Sequence, residues 1–239
     1  MRTLNPMSGF TLLELAIVLT ILALFSAGGL PLAAKLHQIQ SRQQIEQTLN
    51  QGIEALIGFA ANHPLDSGRG AWLPCPAIYV NGAEGGRNPD GSCVREEGYL
   101  PSRDLGLNPT NAIVHYRVDA RFANRSSGIQ LGGQGRLQIC ADPACAIRLG
   151  DNVGALLWVK GETSDPSGRD SRANDDGMDT ATGQALPCNS GGPPFAPACV
   201  FVAHEARSDG AVGGAFQDQV RWMSSSLLMY QLIQTSRLP

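Results

Sequence analysis

The sequence predicts an α+β fold, with one long N-terminal helix laid on an antiparallel sheet and a loop-rich periphery tied by disulfides. Three observations carry this. Residues 10–34 form an apolar run with a single charge, and apolar residues then continue at helical spacing to residue 63. Beyond that point, most of the 28 glycines and 15 prolines punctuate short strand-like segments. All six cysteines also lie there. The 239-residue chain is 43% hydrophobic and 16% charged, with a net charge of -3, so charge-driven disorder is excluded. Nor is there the clustered basic face that nucleic-acid binding would need.

The first element reads FTLLELAIVLTILALFSAGGLPLAA from Phe10 to Ala34, and Glu14 is its one charged residue. As a helix it would span about 37 Å at ~1.5 Å per residue, enough to cross a ~30 Å hydrocarbon core. The run is too long for a cleaved secretory signal, and Ser26-Ala27-Gly28 is a poor A-x-A site. A plain membrane anchor fits the length but leaves Glu14 unexplained. A carboxylate near the bilayer centre costs about 2.5–3.5 kcal/mol, less toward the end where this one lies, and no partner for it exists within the segment.

The residues around Glu14 resemble a known motif. Ser8-Gly9-Phe10-Thr11-Leu12-Leu13-Glu14 is similar to the processing site of type IV prepilins and pseudopilins. The resemblance implies a pilin-like fold and no enzymatic activity of the chain's own. It implies cleavage by a prepilin peptidase between Gly9 and Phe10, then N-methylation of Phe10. Glu14 becomes the fifth mature residue, the one expected to pair with the terminal amine of a neighbouring subunit. Pro31, at mature position twenty-two, matches the proline that kinks the helix in many pilins. The implied organisation is a leader over 1–9, a transmembrane and filament-core helix over 10–34, its amphipathic continuation over 35–63 and a periplasmic globular domain over 64–239. The implied partners are the peptidase, other pilins or pseudopilins and the bacterial inner membrane, which the chain crosses once before entering a filament. Flanking charge does not fix the orientation, because Arg2 and the amino terminus before the run balance Lys35 and Arg42 after it.

From Leu32 the pattern becomes one apolar stripe on a polar helix: Leu32, Leu36, Ile39, Ile45, Leu49, Ile53, Leu56 and Ala60. Gly52 and Gly58 each cost up to ~1 kcal/mol inside a helix, so packing must compensate or local bends occur. His63-Pro64 should end the helix, since the residue before a proline disfavours the helical region. Residues 64–110 are dense in turns. Within them, Trp72-Leu-Pro-Cys-Pro and Gly98-Tyr-Leu-Pro-Ser-Arg-Asp-Leu-Gly-Leu resemble segments that follow the long helix in prepilin-like proteins. Strands are expected over 112–120, 135–140, 154–159 and 199–204, a polar insertion over 161–198, and a partly helical end over 218–236.

Six cysteines placed after the apolar run point to an oxidising compartment. They allow fifteen pairings, and nearest neighbours are the simplest: Cys75–Cys93, Cys140–Cys145 and Cys188–Cys199. Zinc is disfavoured, because there is no C-x-x-C pair and His37, His63, His115 and His204 lie at no ligand spacing. The acids of residues 165–179 lack the alternation of a calcium loop, and Arg169 and Arg172 offset their charge, so a solvated loop without cofactor is expected. Enzyme signatures fail as well. There is no G-x-S-x-G, His204-Glu205-Ala-Arg-Ser is not H-E-x-x-H, and Gly132-Gly-Gln-Gly135 lacks the Walker lysine. His115 and His204 are expected to be structural. The readings are therefore a filament subunit, meaning a minor pilin or a type II secretion pseudopilin; an adhesin-like tip pilin that grips an external ligand; and, least favoured, an anchored periplasmic enzyme.

Overall fold

The computed structural model describes residues 11–65, 70–161, 170, 173–174, 178–179, 184–185, 199–207 and 215–238. Backbone alone is described at 22–35, 37–38, 178–179, 184–185 and 199. Two compact units divide the chain, one ending at Gln44 and the other running from Ile45. Helix α1 covers Leu12–Asn62, 51 residues, and contributes to both. Pro31, where the resemblance implies a kink, falls in the part of α1 described by backbone alone.

In the second unit, α1 buries the lower half of its stripe. Leu49, Leu56 and Ala60 are fully enclosed, with Ile45 and Ile53 packed beside them. Leu36 and Ile39, the earlier members of the stripe, belong to the first unit and are each 52% exposed. Gly52 marks a close approach of helix and sheet: a Cβ there would stand 2.6 Å from Leu157 Cδ1 and 3.2 Å from Leu100 Cδ2. Gly58 has open space where its Cβ would be. The helix stops before Pro64, where the proline restriction places its end. Its last carbonyls are satisfied locally and from afar. His63 N donates to Phe59 O at 3.0 Å. Arg237 Nε, from the far end of the chain, donates to Ala61 O.

The main sheet comprises β1 (Glu97–Tyr99), β2 (His115–Val118), β3 (Leu137–Cys140), β4 (Arg148–Val159), β7 (Cys199–Val202) and β8 (Gln219–Ser224). Its order is β1-β2-β4-β3-β7, with β8 also pairing β4. A separate two-residue pair joins β5 (Met178–Asp179) to β6 (Gln184–Ala185). A short helix, α2 (Ala120–Ala123), follows β2 and is capped by Asp119, whose side chain accepts from Arg121 N. Helix α3 (Ser225–Gln234) follows β8 directly, and the Ser224 hydroxyl caps it by accepting from Leu227 N at 3.2 Å.

The sheet is antiparallel-rich rather than wholly antiparallel, because β3 and β7 run parallel in register from Leu137↔Cys199 to Cys140↔Val202. A parallel pair needs a long crossover. The chain between these strands, which includes β4 and the 161–198 insertion, supplies one. Strand β4 has twelve residues, twice the expected length. Its first half is mostly exposed and its second half buried, so only 154–159 carried an apolar signal. Strand β1, only three residues long, went unread within the turn-dense stretch.

Alternation along β4 feeds two clusters. Ala155, Leu157 and Val159 join Tyr116, Val118 and the α1 stripe, together with Met223, Leu228 and Leu232. Leu156 and Trp158 point the other way, to Leu137, Ile139 and Phe201. Cys75 joins Cys93 inside the first cluster, and Cys140 joins Cys145 across the β3–β4 turn. Cys188 lies outside the described residues, so the expected Cys188–Cys199 pair does too.

The loops around Cys75 are held by one cation. Arg87 Nη1 donates to Gly91 O at 2.9 Å and Nη2 to Leu73 O at 3.1 Å. Its guanidinium lies 4.3 Å over the Trp72 ring. The partner carboxylate of Glu84 accepts from Cys75 N at 2.8 Å.

Candidate functional site

The chemistry singled out by the sequence begins at the first turn of α1. Gly9 and Phe10 lie outside the described residues, and the description opens at Thr11. Thr11 precedes the helix and closes it in two ways. Its carbonyl accepts the first helical bond, from Leu15 N at 3.2 Å. Its Oγ1 accepts from Glu14 N at 3.3 Å, satisfying a donor that would otherwise have no partner. Thr11-Leu12-Leu13-Glu14 has the S/T-x-x-E spacing of a capping box. The same residues also belong to the processing motif, which masks the capping signal in the sequence. Glu14 thus occupies the third helical position, where a negative charge favours the helix dipole.

The surroundings of this carboxylate are apolar on all sides. Leu12 is 86% exposed and Leu13 71%, and Leu15, Ile17, Val18, Leu19 and Ile21 are all exposed as well. At 100° per residue these positions go round the whole circumference, unlike the single stripe of a surface helix. The one hydroxyl of the stretch is turned inward: Thr20 Oγ1 donates to Ala16 O at 2.5 Å and lies 3.1 Å from Ile17 O. That geometry suits a medium without water. The Glu14 side chain is exposed, and among the described residues no bond to it is recorded. The next cation along the sequence is Lys35, some 31 Å up the helix at ~1.5 Å per residue.

Among the described residues, no helix is long and apolar enough to cross a membrane. The span was expected over 10–34, but side chains are described only to Ile21 and again from Leu36, so most of it falls outside them.

The other sequence candidates make contacts within the fold. His204 Nε2 meets Asp170 Oδ2 at 2.9 Å, its Nδ1 lies 2.6 Å from Glu205 O, and its ring is 4.0 Å from Phe216. Asp170 also pairs with Arg207 at 3.2 Å. Asn174 clamps β7 through Val202, accepting from its N–H at 2.8 Å and donating to its carbonyl at 3.0 Å. His115 stacks 5.0 Å from Trp158. Most of residues 165–179 lie outside the description. Among the described residues, no three His, Cys, Asp or Glu side chains gather into a metal site, and the Asp170 carboxylate is engaged by His204 and Arg207.

Comparison with known proteins bears on the N-terminus alone. The family model described as the prokaryotic N-terminal methylation motif, the type IV prepilin signature, matches residues 4–30. No curated protein and no solved structure matches the chain.

Proposed function

We propose that this chain, which carries the type IV prepilin signature, is a subunit cut between Gly9 and Phe10, methylated at Phe10 and assembled into a type IV pilus or type II secretion pseudopilus. The observation that carries the proposal is Glu14: a carboxylate in the first helical turn, ringed by exposed leucines, isoleucines and valines, with no cation nearby in its own helix. Such a surface calls for an apolar cover, which a bilayer or a bundle of like helices supplies. The carboxylate calls for a cation, which hydrolysis of the Gly9–Phe10 bond creates as a new terminal amine. Methylation leaves that amine cationic.

Within one subunit the two charges stand four residues apart at the mature end. Between subunits, an unpaired carboxylate buried among apolar helices is costly, and a paired one much less so. The pair would therefore fix axial register between neighbours more than it would add net binding energy. In this reading residues 10–34 hold the subunit in the inner membrane before assembly. The disulfides at Cys75–Cys93 and Cys140–Cys145 suit an oxidising periplasm on its far side. The chain is then a substrate of the peptidase and acts by packing, not by catalysis.

Mass spectrometry of the mature protein tests this. The expected N-terminus is methyl-Phe10. Retention of residues 1–9 in cells with an active leader peptidase would overturn the assignment. Replacing Gly9 with a bulky residue should leave full-length precursor on a gel.

A further inference from the structure

We propose that His204 is a pH-sensitive clamp: with both ring nitrogens protonated it ties Asp170, on the chain between β4 and β7, to the end of β7, and loss of one ring proton undoes that tie. The proposal goes beyond the filament reading above and does not depend on it. It rests on what each nitrogen faces. Nδ1 lies 2.6 Å from Glu205 O, and a carbonyl oxygen can only accept, so Nδ1 carries a hydrogen. Nε2 lies 2.9 Å from Asp170 Oδ2. That same oxygen accepts from Arg207 Nη1 at 3.2 Å, and a guanidinium there favours the carboxylate ion, which is again an acceptor. Two acceptors require two N–H groups, and only the imidazolium has both.

Burial gives this requirement its force. The side chains of His204 and Asp170 are 8% and 3% exposed, so water does not readily replace a lost partner. The charged groups recorded around the ring are Asp170 and, through it, Arg207; the carboxylate of Asp218, on the segment that carries Phe216, faces Gly161 N and Asn174 instead. The contact from Phe216, 4.0 Å from the ring, is aromatic. Deprotonation keeps the local Nδ1 bond and turns the Nε2 lone pair against the carboxylate. The tie is therefore complete at low pH and lost as pH rises, and histidine changes charge between about pH 5 and 8. What it secures is already seated nearby: Ala173, Val202 and Phe216 form a buried cluster, and Asn174 grips both backbone groups of Val202.

Amide hydrogen exchange of the full-length chain in detergent, read over β7 and residues 203–207 from pH 5 to 8 and corrected for intrinsic rates, tests this. Strand β2 serves as the internal reference. Wild-type protection should fall by roughly ten- to a hundredfold as pH rises, the weight of one hydrogen bond to a charged group. His204→Gln does not titrate and should show no such fall. Asp170→Asn keeps the imidazole but can turn its amide to donate to a bare Nε2, so its profile should be flat too. Flat wild-type protection would overturn the proposal, as would a fall that persists in either variant. Should both variants be unprotected throughout, the 15N shifts of labelled histidine in the wild-type chain decide: two protonated ring nitrogens where protection is full uphold the clamp, and a single neutral tautomer there removes it.

Discussion

Gly52 and Gly58 sit six residues apart in α1, and the structure predicts opposite outcomes for replacing each with alanine. Helix propensity alone favours both changes, by about 1 kcal/mol each. At Gly58 nothing stands within 4 Å of the new methyl group, so Gly58→Ala should gain about that amount. At Gly52 the methyl group would lie 2.6 Å from Leu157 Cδ1 and 3.2 Å from Leu100 Cδ2. Leu157 is 0% and Leu100 2% exposed, so neither has free space to retreat into. Overpacking of this kind costs about 1–3 kcal/mol, which cancels the propensity gain or exceeds it by up to about 2 kcal/mol. Comparing the two variants removes the propensity term, leaving a gap of about 1–3 kcal/mol, or roughly 2–12 °C in Tm for a unit of this size. Thermal unfolding of the two variants and wild type in the same detergent measures that gap. A double variant, Gly52→Ala with Leu157→Val, removes the clashing Cδ1 and should recover part of the loss, with a favourable coupling of at least ~0.5 kcal/mol. If Gly52→Ala raised Tm as much as Gly58→Ala, the close approach of α1 to β4 would be wrong.

Three further outcomes are expected. Glu14→Ala or Glu14→Val should leave cleavage largely intact but reduce incorporation into sheared filaments, judged by immunoblot; normal assembly by either variant would defeat the pairing account. Burial raises the carboxyl pKa of Glu96 above its ordinary value despite the opposing pull of Arg117, 3.1 Å away. A raised folded-state pKa contributes stability that is complete below the unfolded value of about 4.5 and is lost as pH rises through the folded one. The wild-type chain should accordingly lose stability relative to Glu96→Gln across that window, and parallel pH profiles of Tm would contradict the burial of this group. Removing the Cys75–Cys93 bridge by a double serine substitution should cost about 3 kcal/mol, since it closes a loop with a sequence separation of 18. The Cys140–Cys145 bridge, with a separation of 5, should cost less, and chemical denaturation of the two double variants ranks them.

The two classes of candidate residue were legible to different degrees. The processing motif is a local string, and nothing distant is needed to recognise Gly9, Phe10 and Glu14 in it. Its capping role was equally local and was missed only because Thr11 and Glu14 had already been given another meaning. His204 was different: its partners Asp170 and Phe216 come from separate segments, and no spacing in the sequence brings them together.

By itself, the sequence determined what depends on near neighbours. Helical periodicity, the stop before Pro64, the apolar half of β4 and the N-terminal methylation motif are all legible in backbone preference and side-chain order along a few turns. Tertiary structure alone decided which of those surfaces are covered. The stripe of α1 looks uniform from Ile45 to Ala60, yet Leu49, Leu56 and Ala60 are fully enclosed while Ile45 and Ile53 are only partly buried. It also decided the parallel β3–β7 pair and the length of β4, whose polar half becomes strand by hydrogen bonding to β3. Periodicity reports the phase of a side chain on its own element. Burial is a property of what lies opposite, and strand pairing is a bond between backbones far apart in the chain.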